Sequence, residues 1–235
     1  METMKAVVYR RKSKPERLCY CDVPLPRPQT GEVLVKIYAT SINGADYRSL
    51  NMGIIPKNGV FGADVAGEVV AVGDSVSGFK IGDAVIAELA DSGFGGFAQF
   101  VAVHEKLLIH KPAGLSFESC AAFPLAAITA LQAIRKSGDI QHGHDVLIVG
   151  SGGGVGTFAV QLAKYYGASV TAVCSAQNVA QAKVLGAHRV IDYSQEDISD
   201  NKQRYDRILA INGSHPLTTY KRLLKSNGAC VMVGG

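Results

Sequence analysis

The chain has 235 residues, of which 47% are hydrophobic and 19% are charged. This length and apolar content are enough for two folded domains with their own cores, which excludes a disordered protein. The net charge of +4 comes from basic residues scattered along the chain, so the composition gives no support for nucleic-acid binding. The densest basic run, RKSKPER at residues 11–17, is interpreted as a solvated loop.

The apolar residues also bear on membranes and on the compartment. No run reaches the roughly 18 apolar residues that a membrane-spanning helix needs, and the first residues lack the apolar stretch of a signal peptide. The five cysteines, an odd number, lie mostly in apolar runs, where buried reduced thiols are more typical than a disulfide framework. We therefore expect a protein that does not enter a membrane, with the cytosol as its compartment.

The first half of the chain has the pattern of a small β-barrel or sandwich. Short alternating or apolar runs are separated by Gly, Pro, Asn and Asp up to Pro112. The candidate strands lie at residues 5–10, 32–42, 64–73, 83–89 and 98–110. After Pro112 the apolar period changes to that of a helix, which we expect to run from Ser116 to about Gly138.

The remainder of the chain alternates between strand and helix patterns. The candidate strands lie at residues 145–149, 169–175, 189–193, 205–212 and 229–235. Strands separated by helices predict a doubly wound parallel sheet. We therefore predict an α/β protein with two domains, at residues 1–118 and 119–235. Because the last strand pattern ends with the sequence, we expect the second sheet to be incomplete at the C-terminus.

A glycine-rich turn follows the strand at residues 145–149. Gly150, Gly153 and Gly156 have the spacing G-x-x-G-x-x-G, and a helix pattern begins within the turn. Glycine lets the backbone come close to a ligand, and the first N–H groups of a helix favour an anion. A tight connection without a ligand is the alternative, but a second strand at residues 169–175 completes a βαβ unit. The turn therefore predicts a dinucleotide site that binds the pyrophosphate.

Six motifs, in order, carry a family resemblance over nearly the whole chain. They are SINGADYR (41–48), FGADVAGEVVAVG (61–73), FPLAAITALQAI (123–134), VGSGGGVGTFAVQLAK (149–164), LGAHRVIDY (185–193) and a closing VMVGG (231–235). Together they resemble the medium-chain dehydrogenase/reductase superfamily, and within it the zinc-independent quinone oxidoreductase branch. The resemblance implies a GroES-like β-barrel domain followed by a Rossmann domain, with the active site in the cleft between them.

Zinc-dependent members of that superfamily hold a catalytic zinc with a Cys and a G-H-E motif. Here Asn43 stands near the position of the Cys, and Gly62, Ala63 and Asp64 stand in the place of G-H-E. Asn and Ala are not zinc ligands, and the four cysteines of a structural zinc site do not occur between residues 88 and 103. We therefore expect no zinc, and an acceptor that is already electron-poor, such as a quinone or an α,β-unsaturated carbonyl.

The resemblance places four side chains near the nicotinamide. They are Asn43, Asp46, Tyr47 and Thr129. In that scheme hydride passes to the acceptor, polar side chains hold its oxygen, and water or a side-chain hydroxyl returns a proton. Each side chain has a structural alternative: Asn43 and Asp46 can cap a turn or a short helix. Tyr47 can pack on the barrel, and Thr129 can bond to its own helix. Many relatives carry a tyrosine shortly before a proline, but this chain has isoleucines before Pro56, which leaves the proton donor open.

The end of the second Rossmann strand indicates the cofactor. NAD enzymes carry Asp or Glu there for the ribose hydroxyls, and that carboxylate repels a 2′-phosphate. This chain has no acid among residues 174–178, so NADPH is favoured over NADH. The resemblance assigns cofactor contacts to the glycine turn and to the ends of the later strands. They are Gly150, Gly153, Gly154, Val155, Gly156, Ser175, Asn178, Tyr193, Asn212, Val233 and Gly234.

Three functions are open at this point. The leading hypothesis is NADPH-dependent reduction of a quinone or enone. Methyl transfer from S-adenosylmethionine also uses a glycine-rich turn, but it predicts an acid at the second strand's end and no GroES-like domain. The third is a nucleotide-binding structural protein, or an inactive fragment of the same fold, as lens crystallins of this family illustrate. We also expect an unpaired sheet edge that favours a homo-oligomer, with weak cofactor binding and slow turnover.

Overall fold

The computed structural model describes residues 2–9 and 18–234, which form two compact units that divide between Leu125 and Ala126. The basic run at residues 11–17 and the final residue, Gly235, lie outside the described residues. The domain boundary between residues 118 and 119 stays a prediction. Among the described residues, no helix is long and apolar enough to span a bilayer.

The first unit is built from antiparallel strands. The strands are β1 (Thr3–Tyr9), β2 (Leu18–Pro24), β3 (Glu32–Ser41), β4 (Asp64–Val72), β5 (Ala84–Glu88), β6 (Phe100–His104) and β7 (Leu108–His110), and the helices are α1 (Gly44–Met52) and α2 (Phe117–Ala121). Five strands form one sheet in the order β6-β3-β4-β5-β7, and β1 pairs with β2. The bridges Ala6↔Ala98 and Val8↔Val60 link β1 to the rest of the unit.

Alternating apolar residues explain this sheet. Successive side chains of a strand point to opposite faces, so Val33 and Val35 of β3 share one face. Both are wholly buried, and they belong to a core with Val69, Val85 and Val103. The β-rich prediction for the first half of the chain is therefore confirmed.

Three elements of the first unit differ from the sequence prediction. The strand expected at residues 98–110 is two strands, because a 3₁₀ turn at Glu105–Leu107 separates β6 from β7. The strand β2 is not predicted, because its side chains alternate only between exposed and half-buried positions. The helix α1 is not predicted either, since its only buried residue is Asp46 and it therefore has no apolar stripe.

The helix expected from Ser116 to about Gly138 is also two helices, α2 and α3 (Pro124–Lys136). Pro124 has no backbone N–H and disfavours the helical conformation of the residue before it. Proline is nevertheless well suited to the first position of a helix. The chain therefore ends α2 at Ala121 and begins α3 at the proline.

The second unit contains the rest of α3 and a parallel sheet. Its strands are β8 (Asp145–Val149), β9 (Ser169–Cys174), β10 (Arg189–Asp192), β11 (Tyr205–Ile211) and β12 (Leu224–Val233), and its further helices are α4 (Gly154–Tyr165), α5 (Val179–Leu185) and α6 (Leu217–Leu223). All strand pairs are parallel, in the order β10-β9-β8-β11-β12. This confirms the predicted doubly wound sheet. The chain changes direction across the sheet between β8 and β11, which is the switch point where such sheets bind ligands.

The three central strands of the second unit, β9, β8 and β11, are largely buried, whereas the outer strands β10 and β12 are mostly half-buried or exposed. In β8, Val146 and Ile148 belong to one core, whereas Leu147 and Val149 belong to another. A parallel sheet covered by helices on both sides produces this continuous apolar run. The carboxyl ends of the five strands lie along one edge, and this edge positions the candidate cofactor residues.

Candidate active site

The connection from β8 to α4 has no room for a side chain at two of its glycines. Gly150 has a φ of +78°, and a Cβ on it would collide with the carbonyl oxygen of Ile211 on the neighbouring strand. A Cβ on Gly156 would collide with the carbonyl oxygen of Gly150. The chain's own packing therefore requires glycine at both positions.

Gly153 and Gly154 have a different environment, because both are exposed. A Cβ on Gly153 would have the Gly150 carbonyl oxygen, at 3.8 Å, as its nearest contact, and one on Gly154 would lie 3.7 Å from the Ala126 Cβ. The chain thus leaves room over the first turn of α4, where N–H groups have no acceptor within the helix. This room, the N–H groups and the positive end of the helix dipole fit a pyrophosphate. Val155, which is half-buried, belongs to the same turn.

The end of β9 lies beside the glycine turn. Asn178 donates from Nδ2 to the Oγ of Ser175 at 3.2 Å, and a Cβ on Gly152 would collide with the Asn178 side chain. Tyr193 is exposed after β10, and its backbone N–H donates to the carbonyl oxygen of Cys174 at 3.1 Å. The structure therefore brings Ser175 and Asn178 to the turn and places Tyr193 at the same sheet edge. The G-x-x-G-x-x-G spacing does not single out Gly152.

The ends of β11 and β12 carry the remaining cofactor candidates. Asn212 has a φ of +54°, and its backbone N–H donates to the carbonyl oxygen of Val233 at 2.9 Å. Gly234 follows with a φ of +71°. These three residues lie at the carboxyl edge of the sheet, on the other side of β8 from Ser175.

The carboxylate of Asp46 accepts hydrogen bonds from the backbone at the start of α1. Its Oδ2 accepts from the backbone N–H of Asn43 at 2.7 Å, and its Oδ1 accepts from the backbone N–H of Gly62 at 3.0 Å. Burial raises the pKa of Asp46, and hydrogen bonds from the backbone N–H groups of Asn43, Gly62 and Asp46 itself partly oppose that rise. Because both oxygens serve backbone groups, the geometry favours the capping alternative for Asp46.

Asp64, wholly buried at the start of β4, is the residue that the Asn43 side chain contacts. Its Oδ2 accepts from the Oγ of Ser41 at 2.8 Å and from Nδ2 of Asn43 at 2.9 Å. Its Oδ1 accepts from the backbone N–H of Leu125 at 2.8 Å. Burial raises the pKa of the Asp64 carboxyl, whereas these three donors lower it. The sequence identifies Asp64 only as an inadequate zinc ligand and gives no sign of this network.

Tyr47 lies in the first turn of α1. Its side chain is 51% exposed, which disfavours the alternative that it packs in the barrel core. A Cβ on Gly44 would lie 3.6 Å from the Tyr47 hydroxyl oxygen, so the ring covers the residue next to Asn43. Asn43, Asp46 and Tyr47 are therefore neighbours in the first unit.

Thr129 lies on α3, half-buried, in the second unit. It follows Ala126 by three residues, and Ala126 is the residue that faces Gly154 of the glycine turn. Residues three apart share a helix face. Thr129 is therefore on the side of α3 that faces the turn.

Another carboxyl group lies opposite Asp64. Glu88 of β5 is in register with Asp64 of β4, and its Oε1 accepts from the backbone N–H of Ala90 at 2.7 Å. Burial is the main cause that raises the pKa of Glu88, and the Asp64 charge adds to it. In the described part of the chain, no group of three or more His, Cys, Asp or Glu side chains is arranged to hold a metal ion.

Two known families match the chain in sequence. The family described as alcohol dehydrogenase GroES-like domain matches residues 29–113. The family described as zinc-binding dehydrogenase matches residues 154–235. The first match lies in the β-rich unit, and the second begins within the glycine turn.

Individual proteins are similar over most of the chain. The chloroplast envelope quinone oxidoreductase homolog of Arabidopsis thaliana is 36% identical over 227 residues, which are 90% of this chain and 69% of that protein. The chloroplastic NADPH-dependent alkenal/one oxidoreductase of the same plant is 33% identical over 226 residues, 91% of this chain and 58% of that protein. The structure of the quinone oxidoreductase from Coxiella burnetii has a TM-score of 0.89 at 31% identity, covering 98% of this chain and 75% of that one.

Proposed function

This chain belongs to the medium-chain dehydrogenase/reductase superfamily, in its quinone-oxidoreductase-like branch, and from that premise we propose that it reduces a quinone or an α,β-unsaturated carbonyl with NADPH. The glycine turn carries this proposal. Gly150 and Gly156 are required by packing, whereas Gly153 leaves room that the chain itself does not use. Room of this kind at a helix N-terminus, at the switch point of a parallel sheet, suits a dinucleotide.

The choice of NADPH over NADH rests on the end of β9. Ser175, Asn178 and Tyr193 offer hydroxyl and amide donors, and residues 174–178 contain no carboxylate. Uncharged donors can bind a phosphate, and no acid repels it there. A similar protein of Arabidopsis thaliana is named as an NADPH-dependent alkenal/one oxidoreductase, which supports the same choice.

Asn43, Tyr47 and Thr129 are the side chains that we assign to the reaction. The bound cofactor supplies the hydride, so the chain has to orient the reactants and return a proton. The hydroxyl of the half-exposed Tyr47 is suited to the proton step, and the Thr129 hydroxyl is suited to orientation. Asp46 supports them, since its two bonds to backbone N–H groups hold the start of α1.

Independence from zinc is part of the proposal. The amide nitrogen of Asn43 points at Asp64, so a cation at this place would meet hydrogen atoms rather than lone pairs. An electron-poor acceptor needs no Lewis acid. The family match described as zinc-binding dehydrogenase covers residues 154–235, a part of the sequence that does not include Asn43 or Asp64.

The compartment and the oligomeric state complete the proposal. Cys120 and Cys174 are buried thiols, which suits a reducing compartment such as the cytosol. In the described sheet β10 is an edge strand, and an edge strand can pair with a second copy of the chain. Light scattering after size-exclusion chromatography measures the mass, and the mass of a single chain would contradict the homo-oligomer.

A screen of NADPH oxidation across quinones, enals and enones tests the function. We expect the absorbance of NADPH to fall only when an acceptor is present. Calorimetry with NADPH alone separates binding from turnover. Binding without turnover on any acceptor would contradict the enzyme and favour a nucleotide-binding structural protein, and the absence of binding would contradict both.

A further inference from the structure

The connection between β11 and α6, residues 212–216, begins at the carboxyl edge of the parallel sheet. Its first residue, Asn212, is one of the candidate cofactor residues and has a φ of +54°. A Cβ on the next residue, Gly213, would lie only 2.5 Å from the hydroxyl oxygen of Tyr220 on α6. Tyr220 is 1% exposed and belongs to a core with Leu223. The backbone at Gly213 therefore packs directly against a buried side chain.

A second segment, the crossover at residues 193–204, packs on the same core. It joins β10 to β11 and contains a 3₁₀ turn at Ile198–Asp200, where parallel strands are usually joined by an α-helix. Ile198 is 1% exposed and belongs to that core. Asp197 precedes the turn, and its Oδ1 accepts from the backbone N–H of Ser199 at 2.7 Å. Hydrogen bonds from Ser199 are the main cause that lowers the pKa of Asp197, so its carboxylate is ionised at neutral pH.

His215 joins the two segments. Its Nε2 lies 3.2 Å from Oδ1 of Asp197. Because an ionised carboxylate only accepts hydrogen bonds, Nε2 must carry a proton and donate it. The other ring nitrogen, Nδ1, is buried and has no hydrogen-bond partner among the described residues. The bond to Asp197 is therefore the hydrogen bond that orients the imidazole and ties the connection to the crossover.

We infer that His215 is a positioning residue for the proposed dinucleotide site, and that its hydrogen bond to Asp197 holds the backbone at Asn212 in place. The inference rests on the proposed function, which puts the cofactor at this edge of the sheet. A positive φ costs energy in a residue other than glycine, so the connection needs contacts that hold it there. The bond from the Asn212 N–H to the carbonyl oxygen of Val233 holds its start, and the bond of His215 holds it three residues later.

Substitutions at His215 test the inference through the affinity for NADPH. His215→Ala removes the donor, whereas in His215→Gln the side-chain amide nitrogen can take the place of Nε2. We expect His215→Ala to raise the Kd for NADPH about three- to fivefold, which is the effect of one partly exposed hydrogen bond. His215→Gln should restore most of the affinity. Calorimetry with NADPH measures both, and equal affinity of His215→Ala and the wild type would overturn the inference.

Asp197→Ala and Arg222→Ala complete the comparison. The loss of affinity in Asp197→Ala should not add to that in His215→Ala, since both changes remove the same bond. The Arg222 guanidinium donates to the carbonyl oxygen of Ser199 and so ties α6 itself, rather than the connection, to the crossover. As the matched control, Arg222→Ala should lose stability but change the Kd for NADPH by less than about twofold. Additive losses, or an equal loss of affinity in Arg222→Ala, would overturn the inference.

Two measurements without NADPH separate the inference from the proposed function. The backbone N–H of Asn212 should exchange with solvent faster in His215→Ala than in the wild type or Arg222→Ala. In the wild type, nitrogen NMR should find a proton on Nε2 of His215, and this measurement stays decisive if His215→Ala fails to fold. Unchanged exchange at Asn212, or an Nε2 without its proton, would overturn the inference. A wild-type protein that binds no NADPH would contradict the proposed function instead.

Discussion

Gly153 and Gly156 belong to one turn, but glycine is needed for ligand space at the first position and for packing at the second. Substitution at each position can distinguish these two requirements. We expect Gly153→Val to weaken NADPH binding more than tenfold, which is about 1.4 kcal/mol, with little loss of stability. The branched side chain would occupy the space that we propose for the pyrophosphate, while its Cβ would make only an ordinary 3.8 Å contact with the Gly150 carbonyl oxygen. Calorimetry with NADPH and thermal unfolding of the same variant measure the two effects.

Gly156→Ala is the contrasting variant. Its Cβ would collide with the carbonyl oxygen of Gly150, so the turn has to shift. We expect a loss of about 1–3 kcal/mol in the free energy of unfolding, as for other overpacked sites. Unchanged NADPH affinity in a folded Gly153→Val protein would mean that the turn is only a structural connection.

In the proposed function, Ser175, the residue after β9, decides between NADPH and NADH. Ser175→Asp would place a negative charge against the 2′-phosphate. We expect it to lower the affinity for NADPH at least about tenfold, while the affinity for NADH changes little or improves. Ser175→Ala, which removes the hydroxyl without adding charge, is the control. Equal affinity of the wild type for NADH and NADPH would show that the preference is wrong.

At the scale of residues, the sequence indicated the turn but not the network around Asp64. Gly150, Gly153 and Gly156 are close in the chain, so their spacing is visible in the sequence. The partners of Asp64 are separated from it by 21 and 61 positions at Asn43 and Leu125. Such contacts depend on how β4 lies beside α1 and beside Leu125 within the first unit, which local periodicity does not describe.

The paired strands β4 and β5 hold two carboxyl groups that respond to pH. Burial and the charge of Asp64 raise the pKa of Glu88 above the usual 4.5. A carboxyl with a higher pKa in the folded state binds its proton more tightly there. Its stabilising contribution is present below the unfolded-state pKa and is lost as the pH rises through the folded-state pKa.

Glu88→Gln tests this assignment, because it keeps an acceptor for the Ala90 N–H and removes the charge. As the pH rises above about 4.5, the free energy of unfolding of the wild type should fall relative to the variant. The slope should be at most about 1.4 kcal/mol per pH unit. Urea unfolding at a series of pH values measures it. The exposed Glu118, whose pKa is lowered by hydrogen bonds to its own N–H and to Ser116, should give the opposite sign when changed to Gln. Parallel pH curves for the wild type and Glu88→Gln would contradict the prediction.

At the scale of elements, the prediction followed the strength of the apolar signal. The central strands β8, β9 and β11 carry apolar runs, and their positions were predicted closely. The prediction for β12 was wrong at its start, because Leu224–Val233 begins with the polar residues Lys225, Ser226 and Asn227. The prediction of one helix at residues 116–138 was wrong. The helical period of apolar residues continues across Pro124, but the helical backbone is interrupted there. The short α1 was missed because its stabilising contacts are the polar bonds of Asp46.

The zinc content of the whole protein is a direct test of the proposed independence from zinc. We expect far less than one zinc ion per chain after dialysis against a chelator, because three hydrogen-bond donors to Asp64, the Asn43 amide among them, occupy the place of a ligand set. Elemental analysis of the native protein measures it, with a zinc-dependent alcohol dehydrogenase treated in the same way as the control. One retained zinc per chain would contradict the proposal.

The fold class of the whole chain could be predicted because the periodicity of apolar residues within short segments indicates it. Alternation in the first half and the alternating strands and helices of the second half are each visible within short windows. The division between Leu125 and Ala126 could not be predicted in this way. It falls inside α3, so neither a linker nor a change of composition marks it.

The contact between Gly152 and Asn178 constrains how the chain can evolve. Even the Asn178 Cβ would lie only 2.9 Å from a Cβ on Gly152, so position 152 stays glycine whatever side chain follows at 178. Position 178 is free to vary only in its outer atoms, which are those that the proposed function puts near the 2′-position of the cofactor. Among descendants of this sequence, changes of cofactor preference should therefore appear as drift at 178 beside an unvarying 152.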